Sequence, residues 1–158
     1  MRYIRSCFIF STLLLGVQLR AGALDLKQID REVQSIEEGS VKYVQTSEKV
    51  CEEHNCTIWT YYWDENKRLK KIKEAFESEV DPSCVQDRFY SNCQLIFTRV
   101  TSMAKKDALP EKYYFQKGKI IQIIFNNIAQ HFEREQIAYY ERTYGGAPKT
   151  CIMKEKGA

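Results

Sequence analysis

Histidine is almost missing from this chain of 158 residues: His54 and His131 are the only two. Acid–base chemistry built on histidine therefore has few places to reside. No glycine-rich phosphate loop, serine elbow or zinc-protease signature occurs, which removes the enzyme classes those motifs mark and leaves other enzymes open. A basic excess is missing too. The formal charge of +3 comes from Arg2, Arg5 and Arg20, which stand in a leader without acids, and the rest of the chain carries 21 basic residues against 21 acidic ones. Binders of nucleic acid usually need net positive charge to engage phosphates, so neither nucleic acid nor an anionic lipid surface is an expected partner. Long apolar runs are also absent. The longest, Cys7 to Val17, falls short of the roughly 20 residues of a membrane-spanning helix, so the protein is not expected to span a membrane.

What is present begins with a leader. Met1, Arg2 and Arg5 precede the apolar run, and the small residues Ala21-Gly22-Ala23 follow it. This is the pattern of a secretory signal peptide, residues 1–23, cleaved after Ala23. Cys7 starts the apolar run and no other cysteine lies near the cleavage point, so a lipid anchor is not expected. The location this implies is periplasmic or extracellular. With 44% hydrophobic and 28% charged residues, the chain has the balance of one folded core. Residues 24–147 are read as a single α+β domain and 148–158 as a polar C-terminal tail, loose apart from Cys151.

Within the domain, Leu26, Ile29, Val33 and Ile36 recur at spacings of three and four between Asp25 and Glu38, which predicts an amphipathic helix closed by Gly39. Val41 to Lys49 has mixed periodicity and leans towards strand. From Thr57 a unit then repeats about every 25 residues. It consists of an aromatic cluster, a polar turn and an aliphatic run. The copies are Tyr61-Tyr62-Trp63, turn DENKR, Leu69 to Ile72; Phe89-Tyr90, turn SNCQ, Leu95 to Phe97; and Tyr113-Tyr114-Phe115, turn QKGK, Ile120 to Phe125. Aromatic and β-branched residues flanking Asn, Asp or Gly turns form β-hairpins. Three in series predict an antiparallel meander of six strands, with one face covered by the N-terminal helix. A second cover is available in Asn127 to Thr143, where Ile128, Phe132, Ile137 and Tyr140 make a helical stripe around the helix-forming EREQ. Tyr139-Tyr140 falls 25 residues after Tyr114-Phe115, so the same segment could instead open a fourth, degenerate hairpin through Gly145-Gly146.

These units, YYxxxxxLxKI, FYxxxxLIF and EKYYFxxGKIIxI after a helix, resemble a family of small secreted bacterial proteins of unknown function. The likeness covers Ile29 to Phe125. It implies an extracytoplasmic sheet protein and no catalytic residues. The cysteines, and the lack of glycine in the first two turns, depart from that pattern.

Five cysteines remain beyond the leader: Cys51, Cys56, Cys84, Cys93 and Cys151. In an exported chain they are disulfide candidates, and their odd number leaves a thiol free or paired between chains. Cys84 and Cys93 lie at opposite ends of one hairpin, about 20 Å apart, and should not pair with each other. The expected pairings are Cys51 with Cys56, then Cys84 or Cys93 with Cys151. A zinc site of Cys51, His54 and Cys56 is disfavoured, because structural sites use two spaced ligand pairs. No metal and no cofactor are expected. The sequon Asn55-Cys56-Thr57 bears only on a eukaryotic secretory route.

His131 reads as an ordinary histidine of the second helix, and the acid pairs Asp64-Glu65 and Glu52-Glu53 as solvated turn residues, so no catalytic residue is assigned. Two features invite a partner. Lys67, Arg68, Lys70, Lys71 and Lys73 crowd the second arm of the first hairpin, either to grip an acidic partner or as a solvated strand face. Trp59, Tyr61 and Trp63 alternate onto one face, as core if a helix covers them and as an aromatic platform if none does. The sequence thus points to a non-enzymatic binding module with a protein partner in the cell envelope, an inhibitor or immunity protein against a hydrolase or toxin. A small envelope hydrolase and a structural envelope protein are the alternatives.

Overall fold

A computed structural model describes residues 26–53, 55–78, 84–103, 107–146, 148 and 150–153. The expected leader lies outside them. Helix α1 (26–39) runs into a single 3-10 turn, Ser40–Lys42. Eight strands follow: β1 (Val44–Glu52), β2 (Asn55–Trp63), β3 (Leu69–Ser78), β4 (Cys84–Ser91), β5 (Gln94–Ser102), β6 (Glu111–Gln116), β7 (Lys119–Phe125) and β8 (Ile128–Gln130). Helix α2 (Arg134–Tyr144) comes last. The strands form one antiparallel sheet in sequence order, so the fold is α+β. The three expected hairpins are β2–β3, β4–β5 and β6–β7. β1 and β8 extend the expected six strands at the two edges.

The aromatic clusters explain why this sheet is covered on both faces and not on one, as the sequence had suggested. Adjacent residues of a strand point to opposite faces. Phe89 and Tyr114 therefore meet α1 on what we call the front face, where they join Ile29, Val33, Ile36 and Phe97 in a buried cluster. Tyr90, Tyr113 and Phe115 point to the back face and form a second cluster with Trp63, Leu69, Ile72, Leu95 and Ile123, against which Phe132, Tyr140 and Tyr144 pack. Removing an aromatic ring from such a core typically costs about 3–5 kcal/mol. Each cluster also carries a β-bulge. The register shifts between Tyr62 and Trp63, Phe89 and Tyr90, and Tyr114 and Phe115. In each hairpin the extra residue falls on the second arm, at Lys70, Ile96 and Ile121, and a bulge so placed increases the local twist.

The turns work without the glycines that the first two lack. Asn92 and Cys93, Lys117 and Gly118, and Asn126 and Asn127 all have positive φ, the backbone of a two-residue hairpin turn. In the β2–β3 turn the Asp64 carboxylate accepts from the backbone N–H groups of Asn66 and Arg68, each at 2.9 Å.

The expected helix from Asn127 starts late, at Arg134. Asn tolerates the left-handed backbone at Asn126 and Asn127, so the chain turns there and Ile128–Gln130 pairs with β7. The alternative, a hairpin through Gly145-Gly146, does not form: Tyr139 and Tyr140 lie in α2, and the extra strand pairs back through Asn126 and Asn127 instead. Glu133 and Gln136 form the capping box that fixes the helix start. Gly39 does not close α1 by a left-handed cap, because its φ is −75°. Its role is steric: a Cβ there would stand 2.9 Å from the Tyr43 hydroxyl oxygen.

Candidate functional site

Three turns, those of β2–β3, β4–β5 and β6–β7, share one end of the sheet, as the meander dictates. The C-terminal residues, expected to be loose apart from Cys151, are fastened across this end at Cys151 and at its neighbours Ile152 and Met153. Cys93 of the β4–β5 turn is disulfide-bonded to Cys151. The Cys151 carbonyl accepts from Leu69 N–H at 3.0 Å, and Met153 N–H donates to the Lys67 carbonyl at 2.9 Å. Arg68 and Ile152 form an antiparallel bridge. The result is a stapled rim with two clefts. One, of about 410 Å³, lies between α1 and the turns and is lined by Gln28, Glu32, Asn92, Gln94 and Lys117. The other, of about 250 Å³, is lined by Arg68, Lys70, Asn92, Cys151 and Ile152. Asn92 is the wall they share. Asn92 and Lys117 are exposed, as is Glu65 in the β2–β3 turn.

The aromatic alternation divides between core and surface. Trp63 is buried, donates its indole N–H to Thr46 Oγ1 at 2.9 Å, and stacks on Tyr61 with ring centroids 6.1 Å apart. Tyr61 and Trp59 are half-buried on the back face. Glu48 and Glu74 flank Trp59 across the strands, and Glu74 is ion-paired with Arg88 at 2.9 Å. Burial raises the Tyr61 hydroxyl above its ordinary pKa, with the charge and hydrogen bond of Glu48 adding to it.

The basic run does not stay together. Lys67 and Arg68 belong to the rim, and Lys70 is a bulge residue whose ammonium lies 3.7 Å from Asp64. Lys71 and Lys73 point to the front face. Lys71 reaches Asp87 at 2.9 Å and sits 5.0 Å from the Phe89 ring centroid. Asp87 also receives Arg99 at 2.8 Å, and Arg99 reaches Glu37 of α1 at 2.6 Å. This chain of charges ties β3, β4 and β5 to the helix. Lys73 is exposed beside it. Nothing in the sequence marks Asp87 and Arg99, because their partners are remote along the chain.

Cys51 and Cys56 are joined across β1–β2, which consumes the two thiolates weighed for zinc; His54 lies outside the described residues. Cys84 is a free, half-buried thiol. Burial raises its pKa and the Glu74 charge adds to this, against a lowering by its own backbone hydrogen bond. It is therefore held protonated and is a poor nucleophile. His131 is exposed beside a small cleft of about 160 Å³ under α2. Among the described residues no helix is long and apolar enough to cross a membrane.

The two disulfides among the described residues are consistent with an oxidising, extracellular or periplasmic compartment. No protein family, curated protein or solved structure matches this chain, so no activity is carried over to it from a relative.

Proposed function

We propose that this is a secreted or periplasmic binding protein, without catalysis of its own, that caps a protein partner with the stapled rim. Its sharpest form is an inhibitor or immunity protein directed at a hydrolase or toxin. The observation that carries this reading is the covalent and hydrogen-bonded fastening of Cys151 and Met153 across the hairpin turns. A rim fixed before binding loses little conformational freedom when it docks.

The test is capture with the oxidised protein from envelope and secreted fractions, followed by identification of what survives a moderate-salt wash. A stoichiometric hydrolase or toxin whose activity falls on titration with the oxidised protein supports the reading. An empty eluate, or a partner whose activity is unchanged, counts against it. A second reading, glycan binding, is favoured only by half-buried Trp59 and Tyr61 beside Glu48, and retention on immobilised glycans that is lost in Trp59→Ala would support it.

A further inference from the structure

We propose that β1 is a homodimerisation edge: two copies pair Val44–Val50 antiparallel about a two-fold axis at Ser47, joining their sheets into one. The two edges of this sheet are built differently. β8 has three residues and leads at once towards α2, which is a blunted edge. β1 has nine residues, no proline, no register shift against β2, and every residue exposed. The Cys51–Cys56 disulfide ties its far end to β2. A long, regular edge that no described residue covers is a template for another strand.

The backbone and the charges together select the occupant. The Cα atoms of Cys51 and Cys56 are 4.1 Å apart, the short spacing of an antiparallel pair that exchanges no hydrogen bonds. By alternation, Gln45, Ser47 and Lys49 also turn their N–H and C=O groups away from β2, towards the open edge. A two-fold axis normal to the sheet sets outward groups against outward groups, and the centres that pair the longest stretches of Val44–Glu52 are Ser47, Glu48 and Lys49. Centring on Glu48 sets that carboxylate against its own copy, and centring on Lys49 sets ammonium against ammonium. Like charges directly opposite are destabilising. Centring on Ser47 avoids both. Gln45 then faces Lys49 of the second copy, Thr46 faces Glu48, and Val44 faces Val50. These two valines, 52% and 44% exposed in one copy, cover each other on the back face. A second copy of the protein therefore pairs with this edge without a like-charge clash and covers both exposed valines, and the inference is independent of the rim.

Sedimentation equilibrium of the disulfide-bonded protein, from about 1 to about 200 μM, tests it. The expected result is a reversible monomer–dimer equilibrium. Gln45→Glu places two Glu–Lys pairs across the axis and should tighten the dimer roughly threefold to tenfold, while Gln45→Lys should weaken it by a similar factor. Ser47→Pro removes an outward N–H that β2 does not use and should abolish the dimer. The Gln45 pair keeps the test valid if the proline variant misfolds. A monomer at every concentration overturns the proposal and leaves the edge to a strand of another protein. A dimer indifferent to both Gln45 changes, or lost only on alkylation of Cys84, overturns it too, as does the reverse order of Gln45→Glu and Gln45→Lys.

Discussion

Cys93, in the left-handed turn between β4 and β5, is covalently joined to Cys151, 58 residues further along the chain. The bond does more than close a loop. It holds the last described residues against the β2–β3 turn, so that two turns and the C-terminal segment act as one surface. Replacing both cysteines by alanine should lower stability by up to about 4 kcal/mol, the chain-entropy value for a loop of this length. The Thr150–Met153 segment should become cleavable in limited proteolysis before the sheet does. Denaturant unfolding and proteolysis on the same samples check this, and a segment that stays protected would show that its backbone hydrogen bonds suffice.

Asp87 is the hinge of the charge chain from Lys71 to Glu37. Asp87→Asn removes the acceptor of two cations at once, both largely buried with it, and should cost about 3 kcal/mol. Glu37→Gln touches only Arg99, at a carboxylate that is 40% exposed, and should cost under about 1 kcal/mol. Equal losses in urea unfolding would contradict the view that Asp87 holds the strands together.

Alkaline pH should unfold the protein through its buried tyrosines. Burial pushes the Tyr90 hydroxyl from 10.0 up to about 12, with Glu74 and Tyr61 adding to this and Arg88 opposing. Tyr113 and Tyr114 are raised as well, by burial first and then by their hydrogen bonds to Glu111 and Asp30. The folded state thus holds these protons more tightly than the unfolded chain. Each contribution is complete below the unfolded pKa of about 10 and declines above it; that of Tyr90 is lost as pH rises through its folded value of about 12. Absorbance at alkaline pH should show an exposed class of tyrosines titrating first and a buried class titrating only as circular dichroism is lost. A single class that titrates in the folded state would refute the burial.

The central hairpins were legible because aromatic doublets and turn residues mark them locally. That the doublets serve two faces was less so, since it depends on where the helices lie. The bulges escaped because an extra Lys70, Ile96 or Ile121 still reads as strand. β1 gave a weak signal for a physical reason: neither of its faces is covered, so no apolar alternation is required of it. The start of α2 was obscured because Ile128 fits a helical stripe although it sits, 64% exposed, in β8. Among candidate residues, the cysteine spacing carried real information, whereas the basic run did not reveal that its members diverge between the rim and the front face.

The most direct test of the rim is a comparison of binding by the captured partner before and after its charges are changed. Glu65→Lys, Asn92→Asp and Lys117→Glu alter three exposed turn positions, and aspartate tolerates the left-handed backbone at Asn92. With folding verified by circular dichroism, the triple variant should lose at least about tenfold in affinity. Glu135→Lys, exposed on α2 away from the turns, should leave affinity unchanged. Full binding by the triple variant would contradict the proposal that the rim is where this protein meets its partner.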